Sequence, residues 1–237
     1  MKILHVKTSA FNNNNYTCKS SSEKLPLEIH DCGLSEYRQI LQLQHILIDK
    51  RRQNKISDTV LIVEHPAVIT LGARQSANKL LISQDEFKQN NIDIVEIRRG
   101  GGTTAHNPGQ LVFYPILNLK QLNLGISEYI RELETIGTKL IASLDINGSR
   151  RKGFPGLWID QRKIASVGVR VSKFITYHGM AINIQNDLSI FDFIKPCGFE
   201  DVEMTSVFKE TGKKHSMKLI KKNLAELLMK QFSSVKI

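Results

Sequence analysis

The chain has 237 residues, of which 41% are hydrophobic and 24% charged, a composition typical of a water-soluble globular protein. No apolar run approaches the ~20 residues that cross a bilayer, and the N-terminus lacks the apolar core of a signal peptide, so we expect a cytoplasmic protein. The net charge of +10 indicates an anionic partner, either nucleic acid or an acidic protein, unless the excess lysines serve solubility alone.

The cysteines point to neither a disulfide framework nor a zinc site. Cys18, Cys32 and Cys197 are odd in number and form no CxxC pair. The histidines show no HExxH spacing either. We therefore expect no metal and no cofactor.

The first 24 residues differ in composition from the rest of the chain. The stretch 11–24 reads FNNNNYTCKSSSEK, which is polar and low in complexity. It predicts a partly mobile N-terminal segment over residues 1–24. No repeat or long linker follows, so residues 25–237 are predicted to form one catalytic domain.

Apolar periodicity predicts alternating helices and strands without a strict βαβ order. That order is typical of an α+β fold with a mixed β-sheet flanked by helices. In chain order we first predict a helix over 35–52, strands over 60–64 and 67–71, a short helix from a Ser83–Glu86 capping box and a strand over 92–97. An apolar β segment over 111–119 and a helix capped by Ser127 and ended by Asn147-Gly148 follow. The last predicted elements are a hairpin of 157–160 and 163–171, a strand over 176–184 and a helix over 217–232.

A glycine-rich stretch, RRGGGTTAHNPGQ, occupies residues 98–110. Gly100, Gly102 and Ala105 formally match the dinucleotide fingerprint G-x-G-x-x-G/A, but that fingerprint must open a helix. Here an Asn-Pro-Gly turn and a β-type run follow, so we reject nucleotide binding. Two interpretations remain, a tight turn between strands and a loop that approaches a ligand closely.

Cys197 stands between Pro196 and Gly198, which predict a turn that presents its side chain. A lone cysteine is more often buried and inert, and a reactive one needs a positive neighbour to become a thiolate. Sequence spacing does not identify that neighbour. The candidates are Lys163, Lys195, His106 and His178.

Two further residues carry possible chemistry. Lys163 opens an apolar strand and is either a base at the mouth of a cleft or an ordinary surface lysine. His178 is either a base or a buried histidine with satisfied hydrogen bonds. The small residues Gly179 and Ala181 after it indicate that another group packs closely against this strand.

Five ordered blocks of the sequence resemble one family, the octanoyl-[acyl carrier protein]–protein N-octanoyltransferases of lipoate biosynthesis. The resemblance extends from about residue 27 to residue 207. The blocks are Glu64-His65-Pro66 with Thr70-Leu71-Gly72, RGGGTTAHNPGQL at 99–111, Lys163-Ile164-Ala165 with Gly168, HGMAIN at 178–183, and Asp187 to Gly198 with its Pro-Cys-Gly.

The resemblance implies the fold of biotin and lipoate protein ligase catalytic domains. It implies that Cys197 is the acyl-thioester nucleophile and that Lys163 lowers its pKa. The implied partners are octanoyl-acyl carrier protein and the lipoyl domains of 2-oxoacid dehydrogenase and glycine cleavage complexes, with no nucleic acid and no membrane. The implied acyl-substrate site consists of Arg99, Gly100, Gly101, Gly102, Thr103, Thr104, Ala105, His106, Ser166, Val167, Gly168, Gly179, Met180 and Ala181.

The sequence departs from the family pattern at four positions, Ala73, Gly102, Ala105 and Asn107. These changes concern the wall of the acyl pocket and leave Cys197 and Lys163 in place. The main alternative is an ATP-dependent lipoate or biotin ligase, whose mechanism needs no cysteine nucleophile. A nucleic-acid-binding module lacks a matching motif, and an inactive relative would not be expected to retain both Cys197 and Lys163.

Overall fold

The computed structural model describes residues 27–195 and 202–232, together with the backbone of residues 15 and 16. The strands are β1 (Asn15–Tyr16), β2 (Glu28–Leu34), β3 (Thr59–Glu64), β4 (Val68–Leu71), β5 (Asp93–Glu96), β6 (Thr104–His106), β7 (Gln110–Ile116), β8 (Ser149–Arg151), β9 (Phe154–Ile159), β10 (Arg162–Ser172) and β11 (Ile175–Asn183). The helices are α1 (Tyr37–Arg52), α2 (Gln84–Gln89), α3 (Leu119–Leu122), α4 (Ile126–Ala142), α5 (Val207–Thr211) and α6 (Met217–Phe232).

Two sheets form the framework. The larger has eight strands in the order β1-β2-β3-β7-β11-β10-β9-β8, and the smaller has the order β5-β4-β6. Strands β2 and β3 run parallel, as do β4 and β5, whereas the remaining pairs are antiparallel. The predicted α+β fold with a mixed sheet is therefore confirmed.

Helices cover both faces of the larger sheet. The apolar stripe of α4, including Leu133, Ile136 and Leu140, is fully buried in one core, which α6 also joins. Helix α1 covers the opposite face with Ile40 and Ile48. None of the helices among the described residues is long and apolar enough to cross a membrane.

The ends of two helices test the predicted caps. The capping box of α2 is present, because the Ser83 hydroxyl accepts from the Glu86 N–H and the Glu86 carboxylate accepts from the Ser83 N–H. The predicted cap of α4 was wrong by two residues. Ser127 lies inside the helix, and the N-cap is Gly125, whose N–H donates to the Glu128 carboxylate at 2.7 Å.

The smaller sheet forms its own core with the 3₁₀ helix Leu188–Phe193. Ile69 of β4 packs there with Ile190 and Phe191, and Met204 joins them from the chain after residue 201. At the other end of the structure, Asn15 and Tyr16 of the polar N-terminal segment pair with β2 and form the edge of the larger sheet. The space between the two sheets is where the candidate site lies.

Candidate active site

A bulge in β10 determines where Lys163 points. Lys163 pairs with Trp158 of β9 and Ala165 pairs with Leu157, so one extra residue, Ile164, stands between them. Ile164 and Ala165 are both buried in the core beneath α4. In a regular strand, residues two apart such as Lys163 and Ala165 would share one face. The bulge breaks this alternation, so Lys163 lies instead on the opposite face, together with Ser166.

The side chain of Lys163 is buried to 2% exposure, which is unusual for a lysine. Its Nζ lies 5.2 Å from the centroid of the Trp158 ring, within cation–π distance. The opposite strand leaves space for it at Gly156, where φ is +128° and a Cβ would come within 2.9 Å of the Lys163 Cε. The fold therefore provides a specific site for this amine.

The backbone of Lys163 is bound to the chain that follows residue 201. Its N–H donates to the Glu203 carbonyl at 2.8 Å, and its carbonyl accepts from the Thr205 N–H at 3.0 Å. On the other side of residues 196–201, the Lys195 N–H donates to the Lys79 carbonyl at 3.1 Å. The predicted nucleophile Cys197 lies outside the described residues, so its pairing with Lys163 stays a prediction.

A small cavity lies between β7, β10 and β11 of the larger sheet and the start of α1. Its volume is about 20 Å³, room for about one water molecule. The residues lining it are Tyr37, Arg99, His106, Val112, Tyr114, Ser166, Gly168, His178, Gly179, Met180 and Ala181. Seven of these were predicted as substrate-binding residues.

Arg99 brings a positive charge to this cavity while itself 7% exposed. Its Nη2 donates to the Thr70 hydroxyl at 2.8 Å and to the Thr70 carbonyl at 2.9 Å, and its Nη1 donates to the Gly100 carbonyl. Gly168 is needed beside it, because a Cβ there would come within 2.9 Å of the Arg99 Cδ. The guanidinium is thus held in place before any ligand arrives.

Two buried histidines, His106 and His178, line the cavity, and a third, His65, packs against His106. Burial lowers the pKa of His65 from 6.5 to about 4. Burial is the main cause that lowers the pKa of His106 to about 3, and the electrostatic effect of His65 is the second. Burial is also the main cause that lowers the pKa of His178 to about 3, and the positive charge of Arg99 is the second. Charged imidazolium therefore plays no part in this site at neutral pH.

Backbone carbonyls determine the tautomer of His106. Asn183 Nδ2 donates to the Thr205 carbonyl at 2.9 Å, so its Oδ1 accepts from Gln110 Nε2 at 2.8 Å. Gln110 Nε2 also donates to the Ala105 carbonyl. The Gln110 Oε1 therefore faces His106 Nδ1 at 2.7 Å, and Nδ1 must carry the proton. Nε2 is then left with a lone pair.

His178 has an unusual backbone, with a φ of +55° inside a strand. Its N–H donates to the Gln44 Oε1 at 2.8 Å instead of to a neighbouring strand. Its Nδ1 is buried with no hydrogen-bond partner among the described residues. A strained, buried histidine at a cavity is more typical of a functional position than of core packing.

The glycine-rich loop forms the predicted turn between strands, and its approach to a ligand stays a prediction. It connects β5 to β6, as a turn would, and its Gly100 N–H donates to the Val169 carbonyl at the edge of the larger sheet. Val167 also differs from expectation, because its side chain packs into the core beneath α4. The predicted residues that do not line the cavity are Gly100, Gly101, Gly102, Thr103, Thr104, Ala105 and Val167.

Sequence reasoning did not select Tyr37, Val112, Tyr114 or His65 for this site. The Tyr37 ring stacks on the His106 ring at 5.7 Å, and the Tyr114 hydroxyl lies 2.9 Å from His65 Nε2. Only His65 had a sequence signal, the Glu-His-Pro block. The tyrosines lie in an ordinary amphipathic helix and an ordinary apolar strand, where aromatic residues are expected anyway.

Comparison with known proteins places the chain in a family. The family model for the lipoyl protein ligase A/B catalytic domain matches residues 36–229. The octanoyltransferase of Desulfovibrio desulfuricans is 39% identical over 182 residues, which are 77% of this chain and 76% of that protein. The chain belongs to the octanoyltransferase family. The predicted membership is confirmed, and so is the predicted enzyme class, an acyltransferase.

Solved structures support the predicted fold of this octanoyltransferase family member. Lipoate-protein ligase A bound with ATP superimposes with a TM-score of 0.69 at 15% identity, covering 89% of this chain and 86% of that chain. The biotin protein ligase of Aquifex aeolicus in complex with biotin and ATP gives 0.50 at 18% identity, covering 89% and 74%. At such identities the likeness shows the fold alone.

Proposed function

We propose that this enzyme transfers an octanoyl or lipoyl group from acyl carrier protein to a lysine of a lipoyl domain. The acyl group passes through a thioester on Cys197. The observation that carries this proposal is the buried Lys163, whose backbone is hydrogen-bonded to residues 203 and 205, a few positions after Cys197. Membership in the octanoyltransferase family supports the same reaction.

The two steps need different help from the protein. Exchange of one thioester for another is nearly neutral in free energy, whereas the final amide is more stable, so the sequence of steps needs no ATP. The first step needs a thiolate, which an ammonium group on Lys163 would stabilise. The departing thiolate of the carrier can take the proton of the Lys163 ammonium, which leaves Lys163 a neutral amine. The second step needs an unprotonated acceptor lysine, and Lys163 can then take up the proton that this amine loses as the amide forms.

The acyl chain would enter the cavity between the two sheets. Its lining supplies apolar contacts from Val112 and Ala181 and small residues at Gly168 and Gly179. The present volume of about 20 Å³ is far below the 300 Å³ or more of a typical ligand pocket. Side chains around the cavity must therefore shift when the acyl chain binds.

The net charge of +10 is suited to acidic protein partners. Opposite charge raises association rates, and salt weakens that effect. We propose acyl carrier protein and the lipoyl domains of 2-oxoacid dehydrogenase and glycine cleavage complexes as those partners, without nucleic acid or membrane. A cytoplasmic location stays a prediction.

A mass measurement tests the proposal. The purified protein is incubated with octanoyl-acyl carrier protein, and intact mass is measured with and without a lipoyl domain. We expect one octanoyl adduct, absent in Cys197→Ala, that disappears as the lipoyl domain gains the group. Formation of an adenylate from ATP and free lipoate, with no adduct from the carrier, would instead establish the ligase alternative.

A further inference from the structure

An irregular stretch of β9 lies beside the side chain of Lys163. Two residues of β9 that are four positions apart, Phe154 and Trp158, pair with residues of β8 that are only two positions apart. Strand β9 therefore carries extra residues there, 155–157, which we call the β9 bulge. Gly156 lies at its centre with a φ of +128°, a conformation that residues with a side chain rarely adopt.

The β9 bulge contributes two contacts to the surroundings of the Lys163 side chain. The Trp158 Nε1 donates to the Phe154 carbonyl at 3.2 Å across the bulge, and this bond orients the ring over which Lys163 Nζ lies. In addition, the missing Cβ of Gly156 leaves room for the Lys163 Cε. The position of the amine therefore depends on the backbone of the bulge staying in one conformation.

Glu134 of α4 holds the β9 bulge from the helix side. Its Oε1 accepts a buried hydrogen bond from the Gly156 N–H at 2.9 Å, and its Oε2 lies 3.2 Å from Arg150 Nε. The Glu134 side chain is only 9% exposed, and burying a carboxylate costs free energy unless it is paired. Both oxygens are paired here, and the bond to Gly156 links α4 to the surroundings of the amine.

Resting on the proposed function, we infer that Glu134 is a positioning residue for the Lys163 amine. By accepting from the Gly156 N–H, Glu134 keeps the β9 bulge in the conformation that leaves room for the Lys163 Cε. Without that acceptor the N–H would be buried and unpaired, so the bulge must rearrange to satisfy it. The lysine then loses the fixed position from which it acts in the proposed reaction.

The alternative role for Glu134 is to fasten α4 to the β8–β9 hairpin through Arg150 alone. The two roles use different oxygens of one carboxylate, so substitutions separate them. Glu134→Met removes both bonds, whereas Glu134→Gln keeps an oxygen that can accept from Gly156 and loses the ion pair. Arg150→Gln also loses the ion pair but leaves the Gly156 bond in place. It is therefore the matched control.

NMR of the full chain with ¹³C-labelled lysine measures the position of the amine directly. The ring current of Trp158 should shift the ε-methylene signal of Lys163, which Lys163→Met assigns. We expect the shift to persist in Glu134→Gln and Arg150→Gln and to be lost in Glu134→Met. Glu134→Asp, shorter by one carbon, should lose it too and serves if Glu134→Met does not fold. An unchanged shift in Glu134→Met or Glu134→Asp, or an equal loss in Arg150→Gln, overturns the inference.

Kinetics give a second readout that a purely structural contact would not move. In rapid-quench measurements of adduct formation from octanoyl-acyl carrier protein, Glu134→Met should lower the maximal rate about tenfold and leave the half-saturating concentration within about twofold. Glu134→Gln should restore the rate to within about twofold of wild type, and a rate as low as that of Glu134→Met would contradict the inference. If the wild type forms no adduct, the proposed function fails, while the NMR shifts still decide the role of Glu134.

Discussion

The amine of Lys163 lies 5.2 Å from the centre of the Trp158 ring, although these two residues come from different strands of the β9–β10 hairpin. This separation is within the range of a cation–π contact, and the side chain is almost completely buried. A charged amine held in this way is suited to stabilise a neighbouring thiolate.

Replacing Lys163 by methionine should therefore abolish chemistry without unfolding the protein. Methionine has a similar length and suits the buried position. We expect acyl-adduct formation to slow by about 100-fold or more, the usual contribution of a proton-transfer residue, while the melting temperature changes little. Quench-flow mass measurement tests this. Lys152→Met, at an exposed position, is the control, and equal rates for both variants would exclude a role for Lys163.

Gly156 should tolerate no side chain. Its φ is +128°, and a Cβ would lie 2.1 Å from the Ala165 carbonyl oxygen and 2.9 Å from the Lys163 Cε. We expect Gly156→Ala to lower the free energy of unfolding by about 3 kcal/mol and to slow acylation by displacing Lys163. Gly153→Ala, with φ of +83° and no atom within 4 Å, should cost only about 1 kcal/mol. Equal costs in urea titrations would contradict this account.

Lys221 of α6 is a second buried amine, with a structural role. Its Nζ lies 3.1 Å from both Asp31 Oδ1 and Glu64 Oε1, and the other Glu64 oxygen accepts from the Gly109 N–H. Lys221→Met would leave two largely buried carboxylates together, so we expect a loss of about 3 kcal/mol.

Lys222 provides the contrast for that measurement. It is exposed and lies 3.9 Å from Glu226, so Lys222→Met should change the free energy of unfolding by about 0.5 kcal/mol or less. Denaturant titration of both variants tests the difference. A loss at Lys221 no greater than that at Lys222 would show that the buried cluster does not stabilise the fold.

Stability should fall as the pH falls below about 6.5. The pKa values of His65, His106 and His178 are about 4, 3 and 3 in the folded chain and 6.5 when unfolded, so the unfolded state binds more protons in this window. The stability that the three neutral histidines contribute is complete above pH 6.5 and is lost as the pH falls toward 3–4. Between pH 6 and 5 the slope should approach about 4 kcal/mol per pH unit for three histidines.

Single replacements distinguish this effect from general acid sensitivity. His106→Phe should reduce the slope by about one third, because one proton fewer is taken up on unfolding. Gln42→Phe, at an exposed and uncharged position on α1, should leave it unchanged. Urea titrations at several pH values measure the slope directly, and a flat profile for the wild type would rule out the neutral histidine cluster.

Regular elements could be predicted because their signals are local. The helix over 217–232 was predicted at its observed boundaries, since its apolar spacing is continuous and polar residues precede it. The Ser83–Glu86 capping box depends on residues three apart and was also predicted correctly. The start of α4 was missed because Gly125 and Ser127 both satisfy cap preferences, and only the Glu128 hydrogen bond decides between them.

The site was harder to predict, because its geometry depends on long-range contacts. His65, His106 and His178 are far apart in the sequence. His106 reaches the His65 ring and lines a cavity with His178 only when the two sheets face each other. The residues implied by family resemblance include the cavity wall but also loop positions that do not reach it. No periodicity in the sequence indicates the chain from His106 through Gln110 to Asn183, since it follows side-chain amides between separate strands.

The bulge at Ile164 gives the two ends of β10 different orientations. A strand presents alternate side chains to opposite faces, so regular alternation from Ser166 back to Lys163 would turn the amine toward the helix side. The bulge reverses the alternation at one point and returns Lys163 to the face of Ser166, while Ile164 and Ala165 stay packed beneath α4. The orientation of Lys163 is therefore separated from the packing of the strand that follows it.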